Sequence, residues 1–336
     1  MSIDPAPDAL ASTSLSASQL IDRRRNEQSS PGSRADGATL ALVVEGGGMR
    51  GVVSGGMVTG LEQLQLHDVF DLVVGTSAGA LAGAYFLARQ SGLGTSIYYE
   101  DLTGREWLDY KRALRGRAPV GLDFLIDEVM VNRKPLNWEA VLASPIPLYA
   151  VATRLGDYAP IAHGHFSSAA EMRDALRASA RIPVISGRPV LIDSTEYIDG
   201  SLSQGIPLQA ATELGATHAL LLLTRPAGQA RGNPSTLLRT LGFPTMNRIL
   251  SGLGDAYSRR ADLYLDELAR IKTLQVAEPS PVQVIQIAAD ALQVKQLEQD
   301  PERLYEGAAS GVAAVCAAIP GLLPGAETGL IPLAAR

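Results

Sequence analysis

Residues 40–79, LALVVEGGGMRGVVSGGMVTGLEQLQLHDVFDLVVGTSAG, decide the fold. They read as strand, glycine-rich turn, helix, strand, sharp turn and the start of another helix. Residues 40–45 are an aliphatic run of strand length that halts at Gly46, Gly47 and Gly48. Residues 51–66 carry Val53, Met57, Leu61 and Leu64 at helical spacing. Residues 70–74 form a second buried-strand pattern that runs directly into Gly75-Thr76-Ser77-Ala78-Gly79. This G-x-S-x-G pentapeptide lies between a strand and a helix, where a nucleophile elbow belongs.

The residue types follow from steric demands. A serine on a tight strand-to-helix turn has strained backbone geometry, so its neighbours two positions away must lack bulk. Gly75 and Gly79 meet that need, and Ala78 and Ala80 let the helix start close to the sheet. The turn exposes the Ser77 hydroxyl at the carboxyl edge of the sheet, beside a helix N-terminus that favours developing negative charge.

The glycine run admits two readings. Gly46, Gly48 and Gly51 fit G-x-G-x-x-G, a dinucleotide-binding pattern that also calls for an acidic residue near the end of the second strand. That strand ends in a serine turn instead. In the other reading, consecutive glycines let backbone N–H groups converge on the oxyanion of a tetrahedral intermediate. Two glycine turns on neighbouring strand tips, one of them holding a nucleophile, favour the oxyanion hole.

With these motifs the sequence resembles the patatin-like phospholipases, whose marks are a G-G-G-x-[K/R]-G turn, a G-x-S-x-G elbow and a later D-G-[A/G]. Here they stand as Gly46-Gly47-Gly48-Met49-Arg50-Gly51, Gly75-Thr76-Ser77-Ala78-Gly79 and Asp199-Gly200-Ser201. Ser201 departs from the usual small apolar residue. The likeness covers roughly residues 39–225 and is closest to the bacterial branch of the family. It implies an α/β fold with a mostly parallel central sheet and helices on both faces, in a three-layer architecture. It also implies a Ser–Asp dyad with Ser77 as nucleophile and Asp199 as base. The oxyanion donors would come from Gly46, Gly47 and Gly48, the last two foremost. Arg50 has two roles open to it, neutralising a phosphate or bracing the turn.

Composition sets outer limits. The chain has 336 residues, 46% hydrophobic and 19% charged, ordinary values for a globular protein. A net charge of −6 and the lack of a strongly basic block argue against a nucleic-acid partner. One cysteine, Cys316, excludes an internal disulfide framework and a cysteine-rich metal site. The apolar tail from Gly307 is interrupted by Pro320 and Pro324 and reads as a terminal helix plus loop with weak membrane contact at most.

Along the chain, residues 1–37 are rich in Ser, Ala, Asp and Pro and are expected to be disordered, with at most a short helix near 18–25. Residues 38–225 form the expected catalytic domain, and 226–336 a helical and strand extension packed on it. Helices are expected at 78–90, 97–108, 123–129, 136–143, 168–178, 206–214, 236–250, 256–274 and 302–318, with further strands at 147–153, 216–224 and 282–288. A small hairpin, 190–192 and 196–198 flanking Asp193-Ser194-Thr195, would deliver Asp199 at its end. His163 and His165 are read as surface-loop residues, since no further metal ligand stands at useful spacing.

The serine needs a base. His218 would complete a Ser-Asp-His order, but it begins its strand whereas Ser77 follows the end of one. In a parallel sheet these lie on opposite edges. Aspartate, with an ordinary pKa of about 3.9, is a weak general base, so the dyad needs a short Ser–Asp hydrogen bond and a strong oxyanion hole. The resulting expectation is a lipid acyl hydrolase that cleaves a glycerolipid or phospholipid ester through an acyl-enzyme. It would need no metal or cofactor and would be cytoplasmic, with transient contact at a membrane surface. The acyl group would lie in an apolar channel, roofed by helices from residues 236–274. The rival readings are a non-catalytic lipid-binding or scaffolding protein with the same fold, and a dinucleotide-binding protein.

Overall fold

The computed structural model describes residue 10 and residues 14–229, 236, 238–320 and 329–333. In chain order the elements are α1 (Ala17–Asn26), β1 (Leu40–Val44), α2 (Gly51–Gln63), β2 (Leu72–Thr76), α3 (Ala78–Leu87) and α4 (Ser91–Glu100). A π-helical segment, Phe124–Arg133, precedes α5 (Trp138–Leu142), β3 (Leu148–Arg154), β4 (Pro160–His163), α6 (Ala169–Ala180), β5 (Val190–Ile192) and β6 (Thr195–Asp199). Then come α7 (Leu208–Glu213), β7 (His218–Leu223), α8 (Phe243–Ile249), α9 (Leu253–Gln275), β8 (Val282–Gln286) and α10 (Pro301–Ala318).

Eight strands form one sheet in the order β5-β6-β3-β2-β1-β7-β8, with β4 paired to β3. The centre is parallel: β1 runs between β2 and β7, with β3 and β8 beyond them. The β3 end is antiparallel through β4, β5 and β6. Every residue of β1 is aliphatic and buried, as a strand covered on both faces requires. Leu40, Leu42 and Val44 face the larger core, with Met57 and Leu61 of α2, Phe86 of α3 and Val312 of α10. Ala41 and Val43 face the second core, with Leu208 of α7 and Tyr264 and Ile271 of α9. The result is the expected helix–sheet–helix layering.

The apolar tail belongs to the larger core. Gly56 and Gly311 let α2 and α10 approach so closely that a Cβ on Gly56 would lie 2.0 Å from the Ala308 carbonyl oxygen. One on Gly311 would lie 2.2 Å from that of Val53. The small residues of the tail are therefore what backbone-to-backbone packing needs. Among the described residues no helix is long and apolar enough to cross a membrane. Residues 321–328 of the tail lie outside the described part.

The expectation of disorder over residues 1–37 fails from residue 14 onward, whereas 1–9 and 11–13 lie outside the described residues. The short helix is α1, closed by a capping box between Ser16 and Gln19. Its Leu20 and Ile21 are buried, and so is Arg24. The Arg24 guanidinium donates to Asp36 (2.8 Å), to Asp71 (2.6 Å) and to the carbonyls of Val69 and Ala38. Asp71 also accepts the Leu40 N–H (2.7 Å), so the N-terminal segment is tied to the starts of β1 and β2. The anchors lie 12 and 47 residues from Arg24, beyond any local pattern. Removing Arg24 should cost about 3–5 kcal/mol, because Asp36 loses its hydrogen-bonded cation and Asp71 is left with Arg34 alone. Urea unfolding of Arg24→Ala against wild type measures it. The hydrogen bond from Arg24 holds the Asp36 carboxyl below the usual carboxylate range. That contribution is complete above the ordinary aspartate pKa of about 3.9 and is lost as pH falls through the lower folded value.

Candidate active site

β3 explains how two residues 122 positions apart meet. Along one edge it pairs with β2 up to Thr76↔Val151, and along the same edge, from the opposite direction, with β6 down to Asp199↔Ala152. β4 holds the other edge across the junction, pairing with residues 150–153. β2 and β6 therefore end head to head. The residue after β2 is Ser77 and the last residue of β6 is Asp199. The β5–β6 hairpin turns through Asp193 and Ser194, both with positive φ (47° and 64°), as a two-residue primed turn needs.

The Ser77 hydroxyl donates to Asp199 Oδ2 at 2.8 Å, and both residues are buried. Ser77 has φ 55° and ψ −123°, a strained conformation for an L-residue and the mark of a nucleophile elbow. Gly79 is obligatory, since a Cβ there would lie 2.3 Å from the Val44 carbonyl oxygen. Gly75 faces Ala80 across the elbow at similar range. Thr76 and Ala78 flank the serine; the Thr76 hydroxyl donates to the Gln204 carbonyl at 2.9 Å. Asp199 Oδ1 accepts the Ser201 N–H at 2.8 Å, and the Asp199 carbonyl accepts from the Thr153 hydroxyl. Gly200 passes so close to β3 that a Cβ would meet the Val151 carbonyl oxygen at 2.0 Å.

Ser179, at the end of α6, gave no signal in the sequence. Its hydroxyl donates to the Val151 carbonyl (2.6 Å) and accepts the Ser77 N–H (2.8 Å), so it ties the elbow to β3. A serine in the last turn of an amphipathic helix looks like any other helix-end polar residue. Only the tertiary fold shows it fully buried. Ser179→Ala should strand a buried donor and a buried acceptor, lowering stability by about 1–3 kcal/mol in denaturant titration.

The three glycines do not serve alike. The Gly46 N–H is committed to the Gly205 carbonyl at 3.1 Å, whereas the Gly47 and Gly48 amides make no such bond among the described residues. Gly48 has φ +59°, and a Cβ on it would lie 2.8 Å from the Gln296 carbonyl oxygen. The Met49 N–H donates to that same carbonyl, which pins the turn. Gly51 starts α2 against Ala78 and Tyr98 with no room for a side chain.

An apolar cavity of about 520 Å3, including its open mouth, extends from Ser77 and Gly48 between Met49, Leu81, Tyr98, Leu102, Leu122 and Leu125. A second hollow shares Leu81, Tyr98, Leu102 and Leu125 with it and continues to Tyr85 and Met130. None of the described residues of 236–274 lines the cavity, so the expected roof is not found among them. The walls come from the glycine turn, α3, Tyr98 of α4, Leu102, and residues from 107–125, 180–186 and 296–297. α9 instead buries Tyr264, Ile271 and Leu274 against the opposite face of the sheet.

Arg50 is buried, and its Nε has no hydrogen-bond partner among the described residues. It does not line the Ser77 cavity. Burial, followed by the neighbouring Arg225, pushes its guanidinium down to about 10, against the opposing pull of Glu45. Glu45 in turn accepts from the Thr224 N–H (2.5 Å), the Thr224 hydroxyl (2.9 Å) and Tyr264 (2.9 Å). Among the described residues no hydrogen bond joins the Arg50 side chain to the glycine turn, so the two roles left open by the sequence both stand. The Ser201 departure has a partner too: Arg260 of α9 donates to the Ser201 carbonyl (2.8 Å) and to its hydroxyl. Burial lowers the Arg260 guanidinium, and Asp199 opposes the shift.

The histidines stand apart from this group. His218 opens β7 opposite Leu40, at the far edge of the sheet, and binds the Leu15 carbonyl. His163 ends β4 rather than lying in a surface loop, and packs edge-on against Tyr197. His165 bonds the Tyr149 hydroxyl at 2.7 Å. Among the described residues no group of three His, Cys, Asp or Glu side chains could hold a metal ion.

The family model described as patatin-like phospholipase matches residues 42–128 and 138–212. The chain is similar to YjjU of Escherichia coli (strain K12), a protein described as uncharacterized, with 32% identity over 191 residues. That stretch spans 56% of this chain and 52% of the relative, so about half of each is compared. Among solved structures, the crystal structure of VipD from Legionella pneumophila aligns with 84% of this chain and 67% of its own, at a TM-score of 0.36 and 10% identity. With both glycine turns, the D-G step and the mostly parallel sheet in place, the chain belongs to the patatin-like phospholipase family.

Proposed function

We propose that the chain is a serine acyl hydrolase that cleaves a fatty-acyl ester of a glycerolipid or phospholipid. The observation that carries this reading is the 2.8 Å hydrogen bond from Ser77, which lines an apolar cavity, to Asp199. The acyl chain enters the cavity and its carbonyl carbon meets Ser77 Oγ. As the C–O bond forms, the hydroxyl proton passes to Asp199 Oδ2, and the carbonyl oxygen becomes an oxyanion within reach of the Gly47 and Gly48 N–H groups. Each such donor contributes roughly 2.7–4 kcal/mol to lowering the barrier in comparable sites. Collapse of the intermediate expels the alcohol, which takes the proton from Asp199 and leaves an ester on Ser77. Water then attacks that ester, with Asp199 as base, and releases the fatty acid.

The weak basicity of a carboxylate is offset by preorganisation. Asp199 is fixed through Oδ1 by the Ser201 N–H, so Oδ2 is directed at one proton only. Incubating the purified chain with phosphatidylcholine, lysophosphatidylcholine and monoacylglycerol, and measuring released fatty acid, tests the reading. Release from at least one of these is expected. A folded wild-type chain that releases none from any of them would contradict it.

A further inference from the structure

We propose that the rim of the Ser77 cavity is a docking surface for an anionic lipid bilayer. The inference rests on the lipid-substrate reading and assigns the face through which the substrate arrives. The rim is built from three segments. Leu108 and Val120 pair across a β-bridge, and between them a 3-10 segment, Tyr110–Arg115, is held out from the body. Trp107 and Val120, at the base of this excursion, line the cavity. The Val120 N–H donates to the Ile185 carbonyl at 3.0 Å, which fixes the second segment beside the first. Leu297, on the third segment, is both a cavity wall and partly open to solvent.

What these segments show to solvent is apolar. Tyr110 is 65% exposed, Leu114 88%, Val184 51%, Ile185 39% and Leu297 40%, so five of the eleven large exposed hydrophobics among the described residues lie on the three segments that also supply cavity-lining residues. Scattered exposed apolar side chains need no explanation, but a cluster at a cavity mouth marks an interaction site. Val184 adds a second signal: it is β-branched, has φ +69° and is exposed. Its backbone conformation is unfavourable, and its side chain gains little from burial.

Charge identifies the occupant. The chain carries −6 overall, yet residues 110–117, YKRALRGR, hold four cations and no acid. Arg112 is engaged with the carbonyls of Arg105 and Glu106, whereas Lys111, Arg115 and Arg117 are exposed and make no ion pair among the described residues. The neighbouring acids are already committed: Glu106 pairs with Arg133, Asp123 with Arg181, and Asp109 caps the Lys111 N–H. Apolar tips flanked by unpaired cations match the boundary between acyl chains and anionic headgroups. Docked this way, the cavity mouth opens on the acyl region, and a substrate need not cross water to reach Ser77.

The test uses the full-length Ser77→Ala chain, which leaves vesicles intact. Its partition is measured onto vesicles of phosphatidylcholine alone and onto vesicles in which a third of the lipid is phosphatidylglycerol. Binding should be much tighter to the anionic vesicles and should weaken at high salt. Adding Lys111→Gln, Arg115→Gln and Arg117→Gln together should weaken it about 100-fold, at roughly five-fold per cation. Leu114→Asp should weaken it as well. The same substitutions in the otherwise wild-type chain should leave kcat/KM on a water-soluble short-chain ester unchanged. Equal binding to both vesicle types, no binding to either, or binding indifferent to all four substitutions would overturn the proposal. So would a dimer that Leu114→Asp dissociates, which would give the surface to a second copy of the chain. Because partition is read in the Ser77→Ala background, it can fail while hydrolysis stands, or stand while hydrolysis fails.

Discussion

Asp199→Asn is expected to lower kcat on a glycerolipid ester by about a thousand-fold while leaving KM and the melting temperature nearly unchanged. The asparagine keeps the size of the side chain and an oxygen to accept the Ser201 N–H, which Asp199 Oδ1 now takes at 2.8 Å. It cannot accept the Ser77 proton. The loss therefore falls on the chemical step, and the acyl cavity, which Asp199 does not line, binds as before. A thousand-fold corresponds to about 4 kcal/mol of barrier, a reasonable share for a base whose alternative is water. Steady-state kinetics with a fluorogenic lipid ester, together with a melting curve of each protein, measures both halves. A fall in kcat with an equal fall in stability would point to a structural role instead.

The second expectation concerns strain. Ser77→Gly and Ser77→Ala should both abolish hydrolysis, but the glycine variant should be the more stable by about 1–2 kcal/mol. This reverses the usual order, in which glycine is the weaker residue. Both variants lose the same hydrogen bond to Asp199. Only alanine keeps a Cβ on a backbone at φ 55° and ψ −123°. For a chain of this size the difference amounts to about 2 °C in melting temperature. An alanine variant equal to or above the glycine variant would show that the elbow stores no strain.

How much of this was legible in the sequence depended on how local the cause was. Strand, turn and helix from Leu40 to Gly79 follow from aliphatic runs and from the glycines of the two turns, of which Gly75 and Gly79 find their close contacts within the motif itself, so the reading and the structure coincide there. The β5–β6 hairpin was legible for the same reason, since Asp193 and Ser194 tolerate positive φ. β4 was missed because residues 160–163 begin with proline, are only half-buried and show no alternation. Ser179 and Arg260 were missed because nothing near them in the chain announces their partners, Ser77 and Ser201. The role of Arg24 was hidden in the same way: in sequence it is one of three arginines, and only the folded chain brings Asp36 and Asp71 around it. The proposed lid failed for another reason. Apolar residues on α9 were available for a roof or for a core, and the sheet face beneath them required a core.

The most direct test of the account is covalent. Purified wild-type chain, Ser77→Ala and Asp199→Asn, each shown to be folded by circular dichroism, are exposed to a fluorophosphonate probe and followed by intact mass. The account predicts one adduct per wild-type chain, located on Ser77, none on Ser77→Ala, and labelling of Asp199→Asn slowed by at least about a hundred-fold. A folded wild-type chain that takes no probe, or a Ser77→Ala chain that labels as fast as wild type, would contradict it.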